Sequence, residues 1–157
     1  MKFSAQEEFG LRCLVAIAVS GEDGSMTIPA IASREGITEP HAGKLLAILR
    51  RGGFITSTRG QHGGYRLTKP SQEIVVGDVL VALGGRLYES EFCDRHAGIH
   101  DECAHVADCS LRGLWTRIQS AVDRVVFNIT LAELISGSIE PDVVNLTSPA
   151  SYARGRE

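Results

Sequence analysis

The chain has 157 residues, 43% of them hydrophobic and 22% charged, a composition typical of a soluble globular protein of one domain, or one with an appendage. No apolar run approaches the roughly 20 residues that span a bilayer, and the N-terminus lacks a signal-peptide pattern, so we expect a cytoplasmic protein without membrane contact. The net charge of −3 divides unevenly, because residues 1–70 carry +3 and residues 71–157 carry −6. Within residues 33–69, seven Lys and Arg stand against two Asp and Glu, and counterion release from DNA requires such a basic segment.

Three helices are predicted in the first third of the chain. Residues 4–7 (Ser-Ala-Gln-Glu) are a capping box, which begins a helix that runs to about Val19 with a broad apolar face. Thr27 caps a short helix that Gly36 ends, and Thr38 caps a longer helix. Two helices joined by a tight turn that contains glycine form the helix-turn-helix pattern.

A β-hairpin is predicted directly after these helices. Residues 55–59 and 64–68 have the composition of strands, and the glycine-rich residues 60–63 connect them. A short hairpin in this position is the wing of a winged helix-turn-helix. Pro70 ends the unit, and residues 75–83 are predicted to form a short apolar helix.

The second half of the chain is predicted to hold a long loop and a long helix. Residues 84–109 show no strand or helix pattern, and a loop of this length inside a small domain is usually functional. Residues 110–128 form a helix with a near-heptad apolar stripe, which packs in the core or against a second copy. Residues 130–133 are a capping box for a last short helix that Gly137 ends. The stripe consists of Leu111, Leu114, Trp115, Ile118, Val122, Val125, Val126 and Ile129.

The candidate base contacts lie at the start of the second helix of the motif, which enters the major groove in such proteins. His41 and Lys44 stand one turn apart on a face without large apolar side chains, and both can donate to guanine acceptors. Arg59, at the base of the wing, can enter a narrow minor groove. The alternative is a helix-turn-helix that packs against protein and has a solvated basic face. The full set of candidate DNA contacts is Thr38, Pro40, His41, Lys44, Arg50, Arg51, Arg59, Gln61 and His62.

Three of the four cysteines, Cys93, Cys103 and Cys109, occur in the long loop with the spacing Cys-x9-Cys-x5-Cys. Thiols crowded into an irregular loop are bridged or metal-bound, and a reducing cytoplasm argues against a permanent disulfide. Three thiolates suit an iron–sulfur cluster with a fourth ligand of another type. The alternatives are zinc with His105 as fourth ligand, and a metal-free switch in which Cys103 and Cys109 form a disulfide on oxidation. Cys13, inside the first helix, is predicted to be a small buried hydrophobe.

Several stretches of the chain have sequences typical of one known family. They are the opening helix, residues 31–37, residues 59–67 of the wing, the three loop cysteines, Leu114-Trp115 and residues 128–134. On these stretches the chain resembles the iron–sulfur-dependent winged helix-turn-helix transcription regulators, the IscR- and NsrR-like family. The resemblance covers about residues 1–137, and the wing with the three cysteines is its most specific part.

The resemblance implies a mainly α fold: a winged helix-turn-helix with a two-stranded β wing and a long C-terminal dimerisation helix. It also implies a homodimer in which each copy holds one cluster by its loop cysteines. In NsrR-like members the fourth ligand is an acidic residue from the first helix of the partner subunit, and Glu8 occupies that position here. Two features depart from the family pattern, because the first cysteine spacing is longer and Arg112 replaces the histidine of IscR-like members. The resemblance therefore implies a 2Fe–2S or 4Fe–4S cluster with Glu8 as fourth ligand.

The predicted function is a dimeric repressor that binds double-stranded DNA with an affinity set by its cluster, which senses redox state, nitric oxide or iron–sulfur status. A small iron–sulfur electron carrier is the rival class. The sequence shows no paired nucleophile and base and no phosphate-binding glycine loop, so we expect neither an enzyme nor a small-molecule substrate. The predicted divisions are a DNA-binding domain over 1–83, a cluster-binding loop over 84–109, dimerisation and closing helices over 110–137, and a flexible tail over 138–157.

Overall fold

The computed structural model describes residues 4–20, 24–58, 63–89, 92–95, 103, 105 and 109–139. Within them, strands β1 (Ile55–Thr58) and β2 (Gly64–Leu67) form an antiparallel pair, and a 3-10 turn covers Ser71–Glu73. The predicted mainly α fold with a two-stranded wing is confirmed, while the predicted tail lies outside the described residues beyond Ile139. The helices are α1 (Ala5–Ala18), α2 (Ile28–Glu35), α3 (Glu39–Arg51), α4 (Val76–Gly84), α5 (Phe92–Arg95), α6 (Ser110–Val126) and α7 (Leu131–Ser136).

The helix boundaries follow from capping chemistry at their ends. The Ser4 hydroxyl accepts the Glu7 amide at 3.2 Å, and the Ser4 amide donates to the Glu7 carboxylate at 2.7 Å, so the predicted capping box is confirmed. The same reciprocal bonds join Thr130 and Glu133, and they hold the pKa of the Glu133 carboxyl below its usual value. Gly36 ends α2 with φ 67, a left-handed conformation in which glycine avoids a Cβ clash.

The hydrophobic core is built around α1, which packs on α2, α3 and α4. Leu14 and Ile17 of α1 are buried against leucines of α3, so one side of each helix is removed from water. At Gly10 the backbone of α1 approaches α4 so closely that a Cβ would overlap the Leu83 side chain. The most fully buried side chains are Leu14, Ile17, Ile31, Leu45, Leu46, Leu49, Ile55, Ile74, Leu131, Val79 and Cys13.

Backbone bridges attach α7 to this same core, although the sequence analysis grouped α7 with the long helix. The Val76 amide donates to the Ile129 carbonyl at 2.9 Å, and the Leu131 amide donates to the Ile74 carbonyl at 2.8 Å. Leu131 is fully buried in the core cluster. The chain therefore leaves the DNA-binding unit along α6 and returns to it at α7.

Four of the eight residues of the apolar stripe that the sequence predicted are exposed in the single chain. Leu111 is 56% exposed, Leu114 50%, Trp115 38% and Val125 44%, which are high values for large apolar side chains. Within the single chain the stripe is therefore not a core element. No helix in the described part of the chain is long and apolar enough to cross a membrane.

The cysteine-bearing segment contains a helical turn that the sequence pattern does not predict. The expectation of no helix within residues 84–109 is wrong at α5, where the Phe92 amide donates to the Glu89 carbonyl at 3.0 Å. The Phe92 ring also contacts the ring of Tyr88, with centroids 5.6 Å apart. A single turn is too short to show helical periodicity in the sequence. The α5 turn is therefore recognised from its contacts in the structure, which are the bond to Glu89 and the ring contact with Tyr88.

Candidate nucleic-acid interface and metal centre

The N-cap and first two turns of α3 present three of the predicted base contacts to solvent. The Thr38 hydroxyl accepts the His41 amide at 3.4 Å and caps the helix, while Pro40 occupies a first-turn position where its missing amide costs nothing. Thr38, Pro40 and Lys44 are all exposed. The opposite side of α3 is buried in the core, so this face is directed outwards.

His41, the fourth predicted base contact, is half-buried because its ring packs on α1. The His41 and Phe9 ring centroids are 5.6 Å apart in an edge-to-face arrangement. The Arg12 guanidinium lies 5.1 Å from the centroid of the same Phe9 ring and donates to Glu35 of α2 at 2.8 Å. α1 is therefore tied to both helices of the helix-turn-helix, and its position sets the orientation of His41.

Exposed cations extend from the end of α3 to the wing. Arg50 and Arg51 are exposed in the last turn of α3, as a phosphate contact requires. Arg66 on β2 is also exposed and pairs with Thr56 of β1, a position that the sequence analysis did not single out although strand alternation would have found it. The predicted contacts at the wing tip, Arg59, Gln61 and His62, lie outside the described residues.

Cys13 is buried in the core, as the sequence predicted. It is 0% exposed, and its burial, with a smaller contribution from Glu35, raises the pKa of its thiol to about 11. At neutral pH the Cys13 sulfur therefore stays protonated and is neither a ready nucleophile nor a ready metal ligand.

The three loop cysteines are free thiols like Cys13, but each of them is half-buried whereas Cys13 is fully buried. Cys93 lies in α5, and Cys109 is the residue directly before α6, where its side chain makes no capping bond. His105, the candidate zinc ligand, is exposed. In the described residues, no group of three or more His, Cys, Asp and Glu side chains is close enough to hold a metal ion, so the structure does not gather all three thiols.

Tyr88 brings two of the three thiols to one place. Burial and the neighbouring Cys93, to which the phenol donates a hydrogen bond, raise the pKa of Tyr88, and Cys109 adds to this effect. The Arg112 guanidinium acts on the same phenol in the opposite direction. Cys93 and Cys109 are thus neighbours of Tyr88 although they are far apart in sequence. Cysteine sulfurs are the ligands that hold iron–sulfur clusters, so by its chemistry this set of half-buried thiols fits such a cluster.

Glu8, the predicted fourth ligand, is exposed in the first turn of α1. Its neighbour Glu7 is half-buried, closes the capping box, and lies so near Gly84 that a Cβ there would come within 2.6 Å of the Glu7 carboxyl carbon. Glu7 therefore already has a structural role within its own chain, whereas Glu8 is accessible to a second copy.

A winged helix DNA-binding protein is defined by three features that are present here. They are the exposed start of the second helix of a helix-turn-helix, cations at the end of that helix, and a two-stranded wing. Residues 3–137 match the sequence profile of the Rrf2 family, described as an iron-dependent transcriptional regulator. The chain therefore belongs to the Rrf2 family of DNA-binding transcriptional regulators.

Relatives and solved structures agree with this membership. Protein rrf2 of Nitratidesulfovibrio vulgaris is 37% identical over 135 residues, which cover 86% of this chain and 87% of the relative. The structure of T. potens IscR superposes with a TM-score of 0.69 at 27% identity, covering 88% of each chain. CymR, the global cysteine regulator of B. subtilis, superposes with a TM-score of 0.70 at 28% identity, covering 87% of this chain and 98% of that chain.

We expect Lys44→Ala to relax base preference at one operator position, because an exposed lysine in the second turn of α3 reaches base edges. The preferred duplex should lose about 1–3 kcal/mol of binding free energy relative to its single-base variants. Arg51→Ala is the matched control, since a phosphate contact weakens binding to all duplexes alike and lowers the salt slope by about one. Competition binding on a set of duplexes checks both variants. A uniform loss with Lys44→Ala would reassign that side chain to the phosphates.

Proposed function

We propose that the chain is a homodimeric repressor whose affinity for its operator is set by an iron–sulfur cluster, 2Fe–2S or 4Fe–4S. Cys93, Cys103 and Cys109 hold the cluster in this proposal, and Glu8 from the second copy is the fourth ligand. The observation that carries the proposal is that all three loop cysteines are half-buried free thiols, and both Cys93 and Cys109 act on the Tyr88 phenol. The iron dependence in the family's description supports the same metal.

When bound, such a cluster supplies a redox-active iron centre whose potential and lability depend on its ligands and their hydrogen bonds. The chain contributes the surroundings of those ligands. The Tyr88 phenol forms a side-chain hydrogen bond with Cys93, and hydrogen bonds to ligand sulfurs are among the features that tune such a centre. A carboxylate such as that of Glu8 is a weaker ligand than a thiolate, which suits a site that must respond to a signal.

α1 is the element that connects the cysteine loop with the DNA-reading helix in this proposal. The Gln6 amide donates to the Leu83 carbonyl, and Gly10 packs on the Leu83 side chain, so α1 rests on the end of α4 where the loop begins. On its other side Phe9 contacts His41 of α3. A displacement of the loop or of Glu8 therefore moves α1, and α1 moves the start of α3.

The same arrangement explains why the proposed protein is a dimer. Residues 1–83 read one half-site, residues 84–109 hold the cluster, and the exposed stripe of α6 joins two copies about a two-fold axis. Two reading helices must match the spacing of two half-sites, so a small rotation of each copy displaces one helix from its groove. This geometry turns a local change at the cysteines into a loss of operator affinity.

The proposal is tested by titrating anaerobically purified protein with nitric oxide or an oxidant while measuring binding to a duplex selected from random sequences. We expect the affinity to change by about 5-fold to 150-fold as the visible absorption disappears, the usual range for coupling between two sites. The control is the same titration of Cys93→Ala protein, whose affinity should not respond.

An unchanged affinity after complete loss of the cluster would end the sensing proposal. If the anaerobically purified protein is colourless and contains zinc, the loop holds a Cys3His zinc site that uses His105 and not an iron–sulfur cluster. Both the cluster-bearing and the zinc-bearing regulator should be retained on a DNA column, and the retention should fall as salt is added. An electron carrier is not expected to bind DNA and should not be retained.

A metal-free thiol switch is the second candidate, favoured by the likeness to Staphylococcus aureus CymR, a structure of which is an oxidized form, and by the free, half-buried thiols. In that case Cys103 and Cys109 lose two electrons and two protons to an oxidant such as hydrogen peroxide and form one S–S bond. Iron-free protein would then lose operator affinity on oxidation and regain it with a thiol reductant. An affinity that does not respond in iron-free protein rejects this candidate.

A further inference from the structure

Four residues join the start of the cysteine loop to the middle of α6, and we call this set the polar clasp: Arg86, Tyr88, Gln119 and Asp123. Gln119 is the centre of the clasp and is 9% exposed. Its amide oxygen accepts the Tyr88 backbone amide at 2.9 Å, and its amide nitrogen donates to Asp123 at 2.7 Å. The second oxygen of Asp123 pairs with the Arg86 guanidinium. Two residues that follow α4 are thereby held by one face of α6.

Gln119 is almost fully buried, so the hydrogen bonds of its amide are needed to offset the cost of removing it from water. A buried amide without partners is costly, so a polar side chain persists at such a site when its donor and acceptor are both satisfied. Gln119 and Asp123 are four residues apart on α6 and therefore lie on the same helical face. The Arg86 guanidinium also lies 5.8 Å from the centroid of the Phe127 ring, which extends the clasp to the end of α6.

The clasp borders a cavity of about 480 Å³, which Thr116 and Ser120 also line. The polar groups around this cavity are engaged with one another: Ser120 donates to the Thr116 carbonyl at 2.8 Å, and the Arg86 amide donates to Glu89 at 3.3 Å. The cavity therefore lies between the segment that follows α4 and the middle of α6.

We propose that Gln119 is a positioning residue, which fixes Cys93 relative to Cys109 by holding the Tyr88 backbone on α6. Cys109 directly precedes α6, so its place depends on that helix. Cys93 lies in α5, and the ring of Phe92, the residue before it, contacts the Tyr88 ring. Gln119 thus connects both cysteines to one rigid element. That the two cysteines aligned in this way are cluster ligands rests on the proposed function.

The test uses Gln119→Met, which keeps the length of the side chain and removes both hydrogen bonds. In the reduced, cluster-free chain, we expect alkylation of Cys93 by iodoacetamide to speed up by about threefold to tenfold, as the loss of the buried bond between Gln119 and the Tyr88 amide allows, while Cys109 reacts at its original rate. Ser120→Ala is the matched control, since it changes the same cavity wall without touching the clasp. Mass spectrometry of peptides measures each cysteine separately.

A double variant tests whether the hydrogen bonds themselves are responsible. In Gln119→Glu with Asp123→Asn, the carboxylate at position 119 accepts a hydrogen bond from the Tyr88 amide. The side-chain amide at position 123 donates to that carboxylate and accepts from Arg86. The chain of bonds is thus restored, with the bond between positions 119 and 123 reversed. This variant should react like the original chain. In the anaerobically reconstituted protein, Gln119→Met should also alter the visible circular dichroism of the cluster, and the double variant should restore it.

Equal Cys93 rates in Gln119→Met and the original chain would overturn the proposal. Equal acceleration of Cys93, Cys103 and Cys109 would overturn it as well, because it would show general loosening of the fold. If the Cys93 rates behave as expected but the chain never takes up iron and sulfide, the positioning role stands and the proposed cluster fails.

Discussion

Replacing Cys93, Cys103 or Cys109 with alanine is expected to abolish the visible absorption of the anaerobically purified protein. Each change removes one thiolate from a set of three, and an iron–sulfur cluster depends on such ligands. The loss should be nearly complete in each variant. Iron and sulfide analysis, together with native mass spectrometry of the dimer, measures it.

Cys13→Ala is the matched control, because it removes a thiol that is 0% exposed in the core. It should keep the full absorption and cost about 1 kcal/mol of stability, as an ordinary core change does. Glu8→Ala should keep the colour and shorten the lifetime of the cluster in air. A full complement of cluster in Cys103→Ala would contradict the three-cysteine ligand set, and an unchanged lifetime in Glu8→Ala would move the fourth ligand elsewhere.

Leu114→Glu is expected to convert the proposed dimer into monomers and to remove operator binding. Leu114 is 50% exposed on the stripe of α6, so about half of the 1.5–3 kcal/mol that burial of a whole leucine contributes is lost in each copy. Two-fold symmetry applies this loss twice, which weakens association by roughly tenfold to hundredfold. The carboxylates that would be buried at the interface add to the effect. Sedimentation velocity and operator binding at the same protein concentration measure both outcomes.

Val19→Glu provides the comparison for this variant, since Val19 is 42% exposed but lies at the end of α1 and not on the stripe. It should remain as dimeric as the original chain. Monomers in both variants would indicate a general loss of fold. An intact dimer in Leu114→Glu would assign the stripe to another partner.

Local chemistry explains why much of the fold could be predicted. Ser4 with Glu7, and Thr130 with Glu133, place donors and acceptors three residues apart, so the capping boxes are visible in the sequence itself. Gly36 was recognisable for the same reason, because one residue must adopt a left-handed conformation. The apolar periodicity of α6 was equally visible, but periodicity shows that a face is apolar and not what covers it.

The candidate site was predictable in its residue types and less so in its arrangement. The three loop cysteines stood out because of their number and spacing, and burial of Cys13 followed from its place in an apolar helix face. His41 was predicted to face DNA freely, and its packing on Phe9 was not foreseen. The α5 turn around Cys93 was missed, because four residues carry too little pattern.

The sequence by itself determined the family, the winged helix-turn-helix, the helix ends and the candidate ligands, because these depend on residue types and on spacings of a few residues. Tertiary structure alone decided that Leu131 returns to the core, that Phe9 supports His41, and that Gln119 holds Tyr88. Each of these contacts joins residues that are far apart in the chain. Their partners are selected by the packing of whole helices, which leaves no local signal in the sequence.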